Sequence, residues 1–365
     1  MNFADVMKPT ERIAFALRSL YRQYGYTRYK MSKFEEYDLY ARNKEFLVSD
    51  SIITFTDTNG RLMALKPDVT LSIVRADRDE PEGLRRVCYE ENVYRVSGGV
   101  SGFREILQAG LECIGRVDTY ALSEALILAA RSLQTISDEC VLTVSHLGIV
   151  AALIDELGVS GEYRARLTEC IGGKNLHELA SLCAEAGADP AAVERLLRLT
   201  SLNGTPREVL PELKSLGCAP EAVAQLETVT ANAEACVPGH VLRIDFSVVN
   251  DMRYYNGIVF TGFVRGVPAG VLSGGQYDRL LEKMGRRSGA VGFAVYLDML
   301  ERAESESEMY DADVLLRYEP GAEAGTLCRA AEDIIRLGQT VMVLPCEPAE
   351  GIRCRSRIEW PKEEG

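Results

Sequence analysis

The sequence predicts an α+β fold, in which helices flank a sheet of mainly antiparallel strands. Two pairs of apolar runs are separated by short turns, which is typical of hairpins. Helical spacing of apolar residues precedes the first pair, and residues 161–236 hold helix formers but few β-branched runs. With 365 residues, the chain is long enough for two or three domains with a buried core.

The N-terminal elements follow from the spacing of apolar residues. Apolar side chains recur at helical intervals before Gly25, and an Asn-Gly turn separates the first two strand patterns. The predicted elements of this part are a helix over Thr10–Tyr24 with Thr10 as its N-cap, a hairpin of Ser51–Phe55 and Leu62–Leu65, and a helix over Val69–Arg75.

A second predicted strand pair contains the most informative alternation of the chain. Val87–Arg95 and Glu105–Gly115 are joined by a loop of glycine and serine residues, which favours an antiparallel pair. Because side chains alternate along a strand, Gln108, Gly110 and Glu112 share one face, opposite to an apolar face.

The rest of the chain alternates between helical and extended patterns. Residues 161–236 are interrupted by Gly- and Pro-containing turns and are predicted to be a helical insertion into a core of residues 1–160 and 237–306. Residues 310–365 are predicted to form a small C-terminal α/β fragment and a loose polar tail. The other predicted elements are helices near Leu122–Ile136 and Ile149–Leu157, strands Val141–Val144 and Leu242–Phe246, a hairpin of Tyr254–Val264 and Val271–Ser273, and a helix after Gly274-Gly275.

Composition and charge argue against several classes of protein. Hydrophobic residues make up 47% and charged residues 26%, as in ordinary globular proteins, and no apolar run reaches the length of a membrane span. The start of the chain has no signal-peptide pattern, so a cytoplasmic protein is expected. The net charge of −13 comes from the residues after Gly115 and disfavours binding of nucleic acid.

The ten cysteines predict neither disulfides nor a metal site. They are scattered and form no C-x-x-C pair, which favours reduced thiols in a core. The three histidines stand far apart, so no zinc site is expected. No glycine-rich nucleotide loop occurs either, and no cofactor is predicted.

Taken one at a time, the polar and aromatic motifs have ordinary structural explanations. The face of Gln108, Gly110 and Glu112 is by itself best explained as a solvated edge, although a pocket could use the glycine to open space above the sheet. The segment beginning at Tyr254-Tyr255 fits a half-buried strand. Gly274-Gly275 fits either a turn before a helix or a close approach of the backbone to a ligand.

The order of these motifs along the chain is more specific than any one of them. It resembles the histidyl-tRNA synthetase group of class II synthetases over nearly all of residues 8–300 apart from the helical insertion. The matching segments are GYTRYKMSKFEEYDLY, LKPDVT, RVSGGVSGFREILQAGLECIG, MRYYNGIVF, SGGQYD and SGAVGFAVYLDML. The resemblance implies a class II aminoacyl-tRNA synthetase-like antiparallel sheet flanked by helices, with a reduced C-terminal α/β fragment instead of a full anticodon-binding domain.

The resemblance also implies an amino-acid pocket with a defined set of ligand-binding residues. An imidazole needs a partner at each ring nitrogen, and a carboxylate together with a phenol can supply both. By resemblance, Asp68, Thr70 and Gln108 would hold the ammonium group of histidine, Glu112 and Tyr255 its imidazole, Tyr254 and Tyr277 would form walls, and Arg95 completes the ligand-binding set.

Two positions at which the synthetases carry arginines differ in this chain. Asn250 stands at the position of the catalytic arginine, and Met299 at that of the ATP-binding arginine. Adenylate formation develops negative charge on a phosphoryl group, which positive groups must stabilise. The two departures together predict that no useful adenylation takes place. Three alternatives stay open for the carboxylate contact missing at Asn250: Arg253 replaces it, Arg95 replaces it, or its loss only weakens affinity.

The departures favour a non-catalytic member of the group, the regulatory subunit of ATP phosphoribosyltransferase. This resemblance implies dimers of the chain within a hetero-oligomer, with the short-form catalytic subunit of the first step of histidine biosynthesis as partner. It also implies L-histidine as a feedback effector. Two alternatives stay open, a divergent histidyl-tRNA synthetase-like amino-acid ligase and a scaffold whose pocket no longer binds.

Overall fold

The α+β class predicted from the sequence is confirmed. The computed structural model describes residues 7–44, 47, 52–76, 79–96, 102–249, 254–304, 310–346 and 351–360. The chain divides into two compact units, one of Lys8–Ala303 and one that holds Met1–Met7 with Glu304–Gly365. Within the described ranges, no helix has both the length and the apolar character needed to cross a membrane.

Helices and strands are interspersed along the chain. In chain order, the helices of the described ranges are α1 (Pro9–Gln23), α2 (Tyr37–Ala41), α3 (Val69–Ala76), α4 (Thr119–Ile136), α5 (Leu147–Glu156), α6 (Gly161–Gly172), α7 (Leu176–Glu185), α8 (Pro190–Ser201), α9 (Pro206–Ser215), α10 (Pro220–Glu234), α11 (Asp278–Lys283), α12 (Leu297–Glu304) and α13 (Ala324–Arg336). The strands are β1 (Thr27–Arg28), β2 (Phe34–Glu36), β3 (Thr54–Thr56), β4 (Leu62–Leu65), β5 (Leu84–Val96), β6 (Phe103–Gly115), β7 (Cys140–His146), β8 (Asn203–Gly204), β9 (Leu242–Asp245), β10 (Ile258–Val264), β11 (Leu272–Gln276), β12 (Gly289–Tyr296), β13 (Ala312–Tyr318), β14 (Val341–Pro345) and β15 (Cys354–Trp360).

One large sheet organises the first unit. Its strand order is β1-β5-β6-β12-β11-β10-β7-β9-β8, and only the pairs β1–β5 and β7–β9 are parallel. The predicted pairing of β5 with β6 is confirmed, with Val87 opposite Glu112. The solvated edge considered for the Gln108 face is wrong, because β6 lies between β5 and β12 and both Gln108 and Glu112 are buried.

The two faces of this sheet serve different purposes. Ala109, Leu111 and Cys113 of β6 belong to the same core cluster as Leu126 and Ala129 of α4. The predicted apolar face is thereby confirmed, since these three residues are buried. The opposite face carries Gln108 and Glu112 and is covered by a second, smaller cluster that includes Val69.

The first helix begins earlier than the sequence predicts. Lys8, not Thr10, is the N-cap, because Pro9 is well suited to the first helical position and has no N–H to satisfy. Glu11 reaches back to accept a hydrogen bond from the Lys8 backbone N–H at 2.8 Å, as in a capping box. Gly25 follows the helix with a φ of 80°, which confirms it as the end of the helix.

The helical segment of residues 161–236 is joined to the large sheet. All four breaks in its sequence coincide with helix boundaries, as at Asp189-Pro190, where Asp189 caps α8. The segment is not purely helical, however, because Asn203 pairs with Asp245 and makes β8 the outermost strand of the sheet. Leu196 and Leu226 lie in the same core cluster as α4, so the segment shares the main core.

A three-stranded sheet of order β2-β4-β3 contains the predicted first hairpin. Phe55 of β3 lies opposite Met63 of β4, which confirms an antiparallel pair. Residue 51, at the start of the predicted strand, lies outside the described residues. The turn considered for Gly274-Gly275 is wrong, since both glycines lie within β11 and not between a strand and a helix.

The second unit contains a parallel sheet of order β14-β13-β15 and the helix α13. The predicted β-α-β elements are confirmed as β13, α13 and β14. The prediction of a loose tail is wrong over Cys354–Trp360, which forms β15 along β13. Its alternating polar residues are exposed, and pairing with a buried apolar strand supplies the order that its own composition does not predict.

Candidate ligand-binding site

A cavity of about 400 Å³ lies on the polar face of the large sheet. Pockets of this size bind small molecules when a few polar groups converge in them. The cavity is formed by strands of the large sheet, by the start of α3 and by the aromatic residues before β10 and α11. All eight sequence-predicted ligand-binding residues line it, namely Asp68, Thr70, Arg95, Gln108, Glu112, Tyr254, Tyr255 and Tyr277.

The register of the sheet produces the floor of this cavity. Residues directly opposite one another on neighbouring strands point to the same face. One such row crosses β5, β6, β12, β11 and β10 through Tyr89, Gly110, Ala294, Ser273 and Thr261. Four of these five side chains are small, so the floor is low and leaves room above it.

Tyr89 occupies the space that Gly110 makes available. A Cβ at Gly110 would lie 2.6 Å from the Tyr89 hydroxyl and 2.2 Å from the Phe293 carbonyl oxygen, so a side chain would collide there. The sequence correctly suggests that Gly110 opens space above the sheet, but an aromatic ring of the chain itself takes part of it. Tyr89, Thr261, Ser273 and Tyr296 line the cavity without having been predicted.

Glu112 is the most deeply buried acid of the cavity, with 2% of its surface exposed. Its two carboxylate oxygens accept hydrogen bonds from the Thr70 hydroxyl at 2.6 Å and from the Tyr277 hydroxyl at 2.5 Å. No described residue forms an ion pair with it. Burial therefore dominates and raises the pKa of Glu112 to about 8, with the two hydroxyls opposing and Asp68 adding to the rise.

Gly292 of β12 makes room for that carboxylate. It lies directly opposite Glu112 in the strand register. A Cβ at this position would approach the Glu112 Oε2 to 1.7 Å and the Leu111 carbonyl oxygen to 2.5 Å. Any side chain at Gly292 would thus displace Glu112 from its present position.

Asp68 and Arg95 form a second polar group of the cavity. Asp68 Oδ1 accepts a hydrogen bond from the Leu71 backbone N–H at 2.8 Å and so caps the start of α3. Burial raises the pKa of Asp68, and the nearby Arg95 guanidinium partly opposes that rise. Arg95 Nε donates to the Pro67 carbonyl oxygen at 3.4 Å, which places the guanidinium beside the residue preceding Asp68.

Three tyrosines form an aromatic wall. The ring centroids of Tyr254 and Tyr255 are 4.7 Å apart in an edge-to-face arrangement, and those of Tyr254 and Tyr277 are 5.5 Å apart. Tyr254 and Tyr277 are buried, and burial raises the pKa of each well above its usual value. The wall is therefore apolar over its rings and carries hydroxyls that stay protonated.

A polar bridge holds this wall against the sheet. Asn256 Nδ2 donates to Asp278 Oδ2 at 3.1 Å, and the Asp278 backbone N–H donates back to Asn256 Oδ1 at 2.9 Å. The Ala290 backbone N–H donates to the other Asp278 oxygen at 2.8 Å. The bridge joins the residues after Tyr255 to the residue after Tyr277. The sequence signal for this bridge was the presence of Asn256 and Asp278 in the motifs MRYYNGIVF and SGGQYD.

The positions at which the chain departs from the synthetases lie in different surroundings. Met299 of α12 is partly buried and packs against the main core. Asn250 and Arg253 lie outside the described residues. Arg104 lies directly opposite Arg95 in the strand register, but it is exposed and does not line the cavity. No metal-binding group of three His, Cys, Asp or Glu occurs in the described part of the chain.

Comparisons with known proteins agree on one family. The histidyl-tRNA synthetase family model matches residues 5–300. A relative from Clostridium kluyveri named ATP phosphoribosyltransferase regulatory subunit is 31% identical over 317 residues, which cover 83% of this chain and 81% of the relative.

Two solved structures share the fold. One from Bacillus halodurans, described as an ATP phosphoribosyltransferase regulatory subunit/histidyl-tRNA synthetase, has a TM-score of 0.79 at 23% identity and covers 96% of this chain and 93% of that one. A chain of an ATP phosphoribosyltransferase complex from Thermotoga maritima has a TM-score of 0.63 at 20% identity, with 78% and 96% covered. At these identities, the two structures establish the fold alone.

Proposed function

Since the chain belongs to the histidyl-tRNA synthetase family and, within it, to the regulatory subunits of ATP phosphoribosyltransferase, we propose that it regulates a catalytic subunit of that enzyme. Its ligand is L-histidine, and it forms no aminoacyl adenylate. Histidine is the end product of the pathway that the catalytic subunit opens, so its binding provides feedback inhibition.

The observation that supports this function is a buried set of polar groups suited to an amino acid. Asp68 supplies a carboxylate for an ammonium group, together with the hydroxyl of Thr70 and the amide of Gln108. Gln108 is buried, and it lines the cavity. Its amide oxygen can accept a hydrogen bond from a ligand ammonium group.

The imidazole of histidine binds between Glu112 and Tyr255, with Tyr254 and Tyr277 as walls. The ionised form of Glu112 accepts a hydrogen bond from one ring nitrogen, and the protonated form donates one to it. Its raised pKa of about 8 makes both forms accessible near neutral pH. Side chains that cannot pair with Glu112 would leave it unsatisfied, and this gives selectivity.

The two positions at which the synthetases carry arginines offer no positive charge in this chain. The side chain of Met299 is an uncharged thioether, and Asn250 is neutral as well. Removing one group that stabilises a developing negative charge typically costs about 3–4 kcal/mol of transition-state stabilisation. The pocket is therefore suited to binding without reaction.

Feedback follows from a difference in histidine affinity between two states of the complex. A ligand shifts a conformational equilibrium only by its differential affinity, which typically amounts to about 1–3 kcal/mol. The proposed assembly contains dimers of this chain and the short-form catalytic subunit. The name of the Clostridium kluyveri relative, a regulatory subunit, supports the existence of such a partner.

The decisive test is a histidine titration of the reconstituted complex. We expect histidine to inhibit ATP phosphoribosyltransferase activity, and Glu112→Gln to raise the half-inhibitory concentration at least tenfold. Glu105→Gln is the matched control, because Glu105 lies exposed on the same strand and outside the cavity. A Glu112→Gln complex as sensitive as wild type would refute the assigned pocket.

A second assay separates this function from that of an amino-acid ligase. ATP–pyrophosphate exchange with histidine is expected to stay at background for the purified chain, because neither Met299 nor Asn250 supplies a positive charge. Histidine-dependent exchange would overturn the non-catalytic assignment and would favour a divergent ligase.

We place the protein in the cytoplasm on the state of its cysteines. All ten are free thiols, and six of them are buried, as expected in a reducing compartment. Fractionation of cells producing the chain would test this, and recovery in an oxidising compartment would contradict it.

A further inference from the structure

The first junction between the helical segment of residues 161–236 and the large sheet lies before the aromatic wall in the sequence. Lys174, between α6 and α7, donates from Nζ to Asp245 Oδ2 at 2.5 Å. Asp245 ends β9 and is buried, and its other carboxylate oxygen accepts a hydrogen bond from the Ser247 backbone N–H at 2.9 Å. The ion pair therefore fixes the turn that follows β9 and precedes Tyr254.

Packing at the same junction is close. A Cβ at Gly172, the last residue of α6, would lie 3.2 Å from Val249 Cγ2. Val249 is buried in the main core and is the last described residue before Tyr254. Because packed interiors are barely compressible and transmit strain, a displacement of Val249 would be passed on to α6.

A second junction lies after the wall. His146 Nδ1 accepts a hydrogen bond from the Gly148 backbone N–H at 3.1 Å, so Nε2 of the neutral ring donates to Gln225 Oε1 of α10 at 2.8 Å. His146 lies directly opposite Ile258, the first residue of β10, in the sheet register. The helical segment thus contacts the sheet next to the chain on both sides of Tyr254-Tyr255.

The backbone at Lys174 adds to the interest of the first junction. Its φ of 52° lies in the left-handed region, which residues with a Cβ seldom adopt. Such conformations persist where the surrounding structure requires them, and they cluster at ligand clamps and switch regions. Breaking the ion pair with Asp245 would remove a contact that supports this conformation.

We propose that the helical segment carries the histidine signal from the cavity to the catalytic subunit through these two junctions. The proposal rests on the proposed function. A ligand between Glu112 and Tyr255 presses on the aromatic wall, and the junctions pass the displacement to α6 and α10. The segment then has two arrangements, one for the empty and one for the filled cavity, and histidine favours the second by its higher affinity for it.

A histidine titration of the reconstituted complex that contains Lys174→Gly tests the proposal. Glycine accepts a left-handed φ without strain, so the variant removes the ion pair and leaves the turn in place. The activity without histidine divided by the activity at saturating histidine measures the coupling, which commonly amounts to about 5- to 150-fold. We expect Lys174→Gly to lower this ratio by about threefold or more, while histidine binding to the chain alone, measured by calorimetry, changes less than the ratio does.

Two variants serve as controls. Lys174→Arg keeps the positive charge and should retain the wild-type ratio. Lys214→Ala removes an ion pair of similar exposure, in which Lys214 Nζ lies 2.6 Å from Glu227 Oε1. That pair joins α9 to α10 within the helical segment, so its loss should leave the ratio unchanged. Calorimetric binding of histidine also reports that each variant is folded.

The outcomes keep this proposal apart from the proposed function. If histidine fails to bind the wild-type chain or to inhibit the wild-type complex, the proposed function is wrong and this proposal falls with it. If wild type is inhibited and Lys174→Gly keeps the wild-type ratio, the helical segment does not carry the signal and the proposed function stands. The same holds if Lys174→Gly loses histidine binding as strongly as it loses the ratio, or if Lys214→Ala lowers the ratio equally.

Discussion

Two buried glutamates on opposite faces of the large sheet show how the same side chain serves structure in one place and a site in another. Glu124 of α4 is 3% exposed and Glu112 of β6 is 2% exposed. Glu124 pairs with Arg86, with an N–O distance of 3.3 Å, and accepts hydrogen bonds from the hydroxyls of Tyr26 at 3.2 Å and Tyr120 at 2.9 Å. Among the described residues, Glu112 has two hydroxyl donors and no cation as partner.

The difference lies in what neutralises the charge. Arg86 compensates the charge of Glu124 within the folded chain. Glu112 faces a cavity, and its compensation must come from a proton or from a ligand. A buried carboxylate that lacks a cation beside an open cavity is therefore a better indicator of a binding site than burial alone.

Removing Glu124 is expected to have the largest effect on stability. Glu124→Ala leaves Arg86 without its buried partner and two hydroxyls without their acceptor, and breaking such a pair costs about 3–5 kcal/mol. Urea unfolding at pH 7 would measure the loss. Glu139→Ala, which removes an exposed ion pair with Arg265, is the control and should cost under about 1 kcal/mol. Equal losses of stability in the two variants would show that the buried pair of Glu124 contributes no more than the exposed pair of Glu139.

Replacing Glu112 with glutamine is expected to stabilise the fold, whereas the loss of Glu124 destabilises it. The pKa of Glu112 in the folded state, about 8, lies above its usual value of 4.5. At pH 7 the folded chain therefore holds a proton that the unfolded chain has released, and Glu112→Gln should raise the free energy of unfolding by about 3 kcal/mol. Histidine affinity should fall in the same variant, because an amide cannot exchange a proton with the imidazole.

The pH dependence of this gain has a defined direction. A raised pKa in the folded state stabilises the fold fully below pH 4.5, and that contribution is lost as the pH rises to about 8. The advantage of Glu112→Gln over wild type should thus be near zero at pH 4.5, grow through neutrality and level off above pH 8. Unfolding titrations at several pH values would show it, and a constant difference would mean that Glu112 does not titrate in this range.

A side chain at Gly292 tests the position of Glu112 sterically. Gly292→Ala would bring a methyl group against the Glu112 carboxylate, and such overpacking typically costs about 1–3 kcal/mol. Histidine affinity should fall with it. Gly161→Ala is the control, because a Cβ there meets nothing within 4 Å. Unchanged stability and affinity in Gly292→Ala would show that the Glu112 side chain can adopt another conformation at no cost.

The smallest effects are expected from the tyrosines that donate to the two glutamates. Tyr277→Phe and Tyr26→Phe each remove one hydroxyl, at a cost of about 1 kcal/mol of stability. Only Tyr277→Phe should weaken histidine binding, since Tyr26 lies away from the cavity. Matched unfolding and calorimetric titrations would detect both effects. A loss of affinity in Tyr26→Phe would show that the two faces are coupled.

Part of the site could be predicted from the sequence because it depends on local alternation. The period of two places Gln108 and Glu112 on one face whatever their neighbours are. Their burial could not be predicted in this way, because β12, which covers one side of β6, comes from residues far along the chain. Tyr89 was missed for the same reason, since its position over Gly110 depends on strand register.

Segments without strong patterns were predicted least well. The two-residue strand β8 is too short to show any period, and only its pairing with β9 defines it. β15 carries Arg355, Arg357 and Glu359, so its composition indicates a tail, whereas backbone pairing with β13 makes it a strand. The helical segment was predicted well at its boundaries, because proline and glycine act locally on the backbone.

The floor of the cavity has a consequence for how this protein can change over generations. Both Gly110 and Gly292 lie where an added carbon atom would meet backbone atoms of a neighbouring strand. At these two positions a side chain cannot be added without disturbing the strands themselves. A lineage that acquires affinity for another small molecule would therefore have to change other residues of the lining, such as those of the aromatic wall.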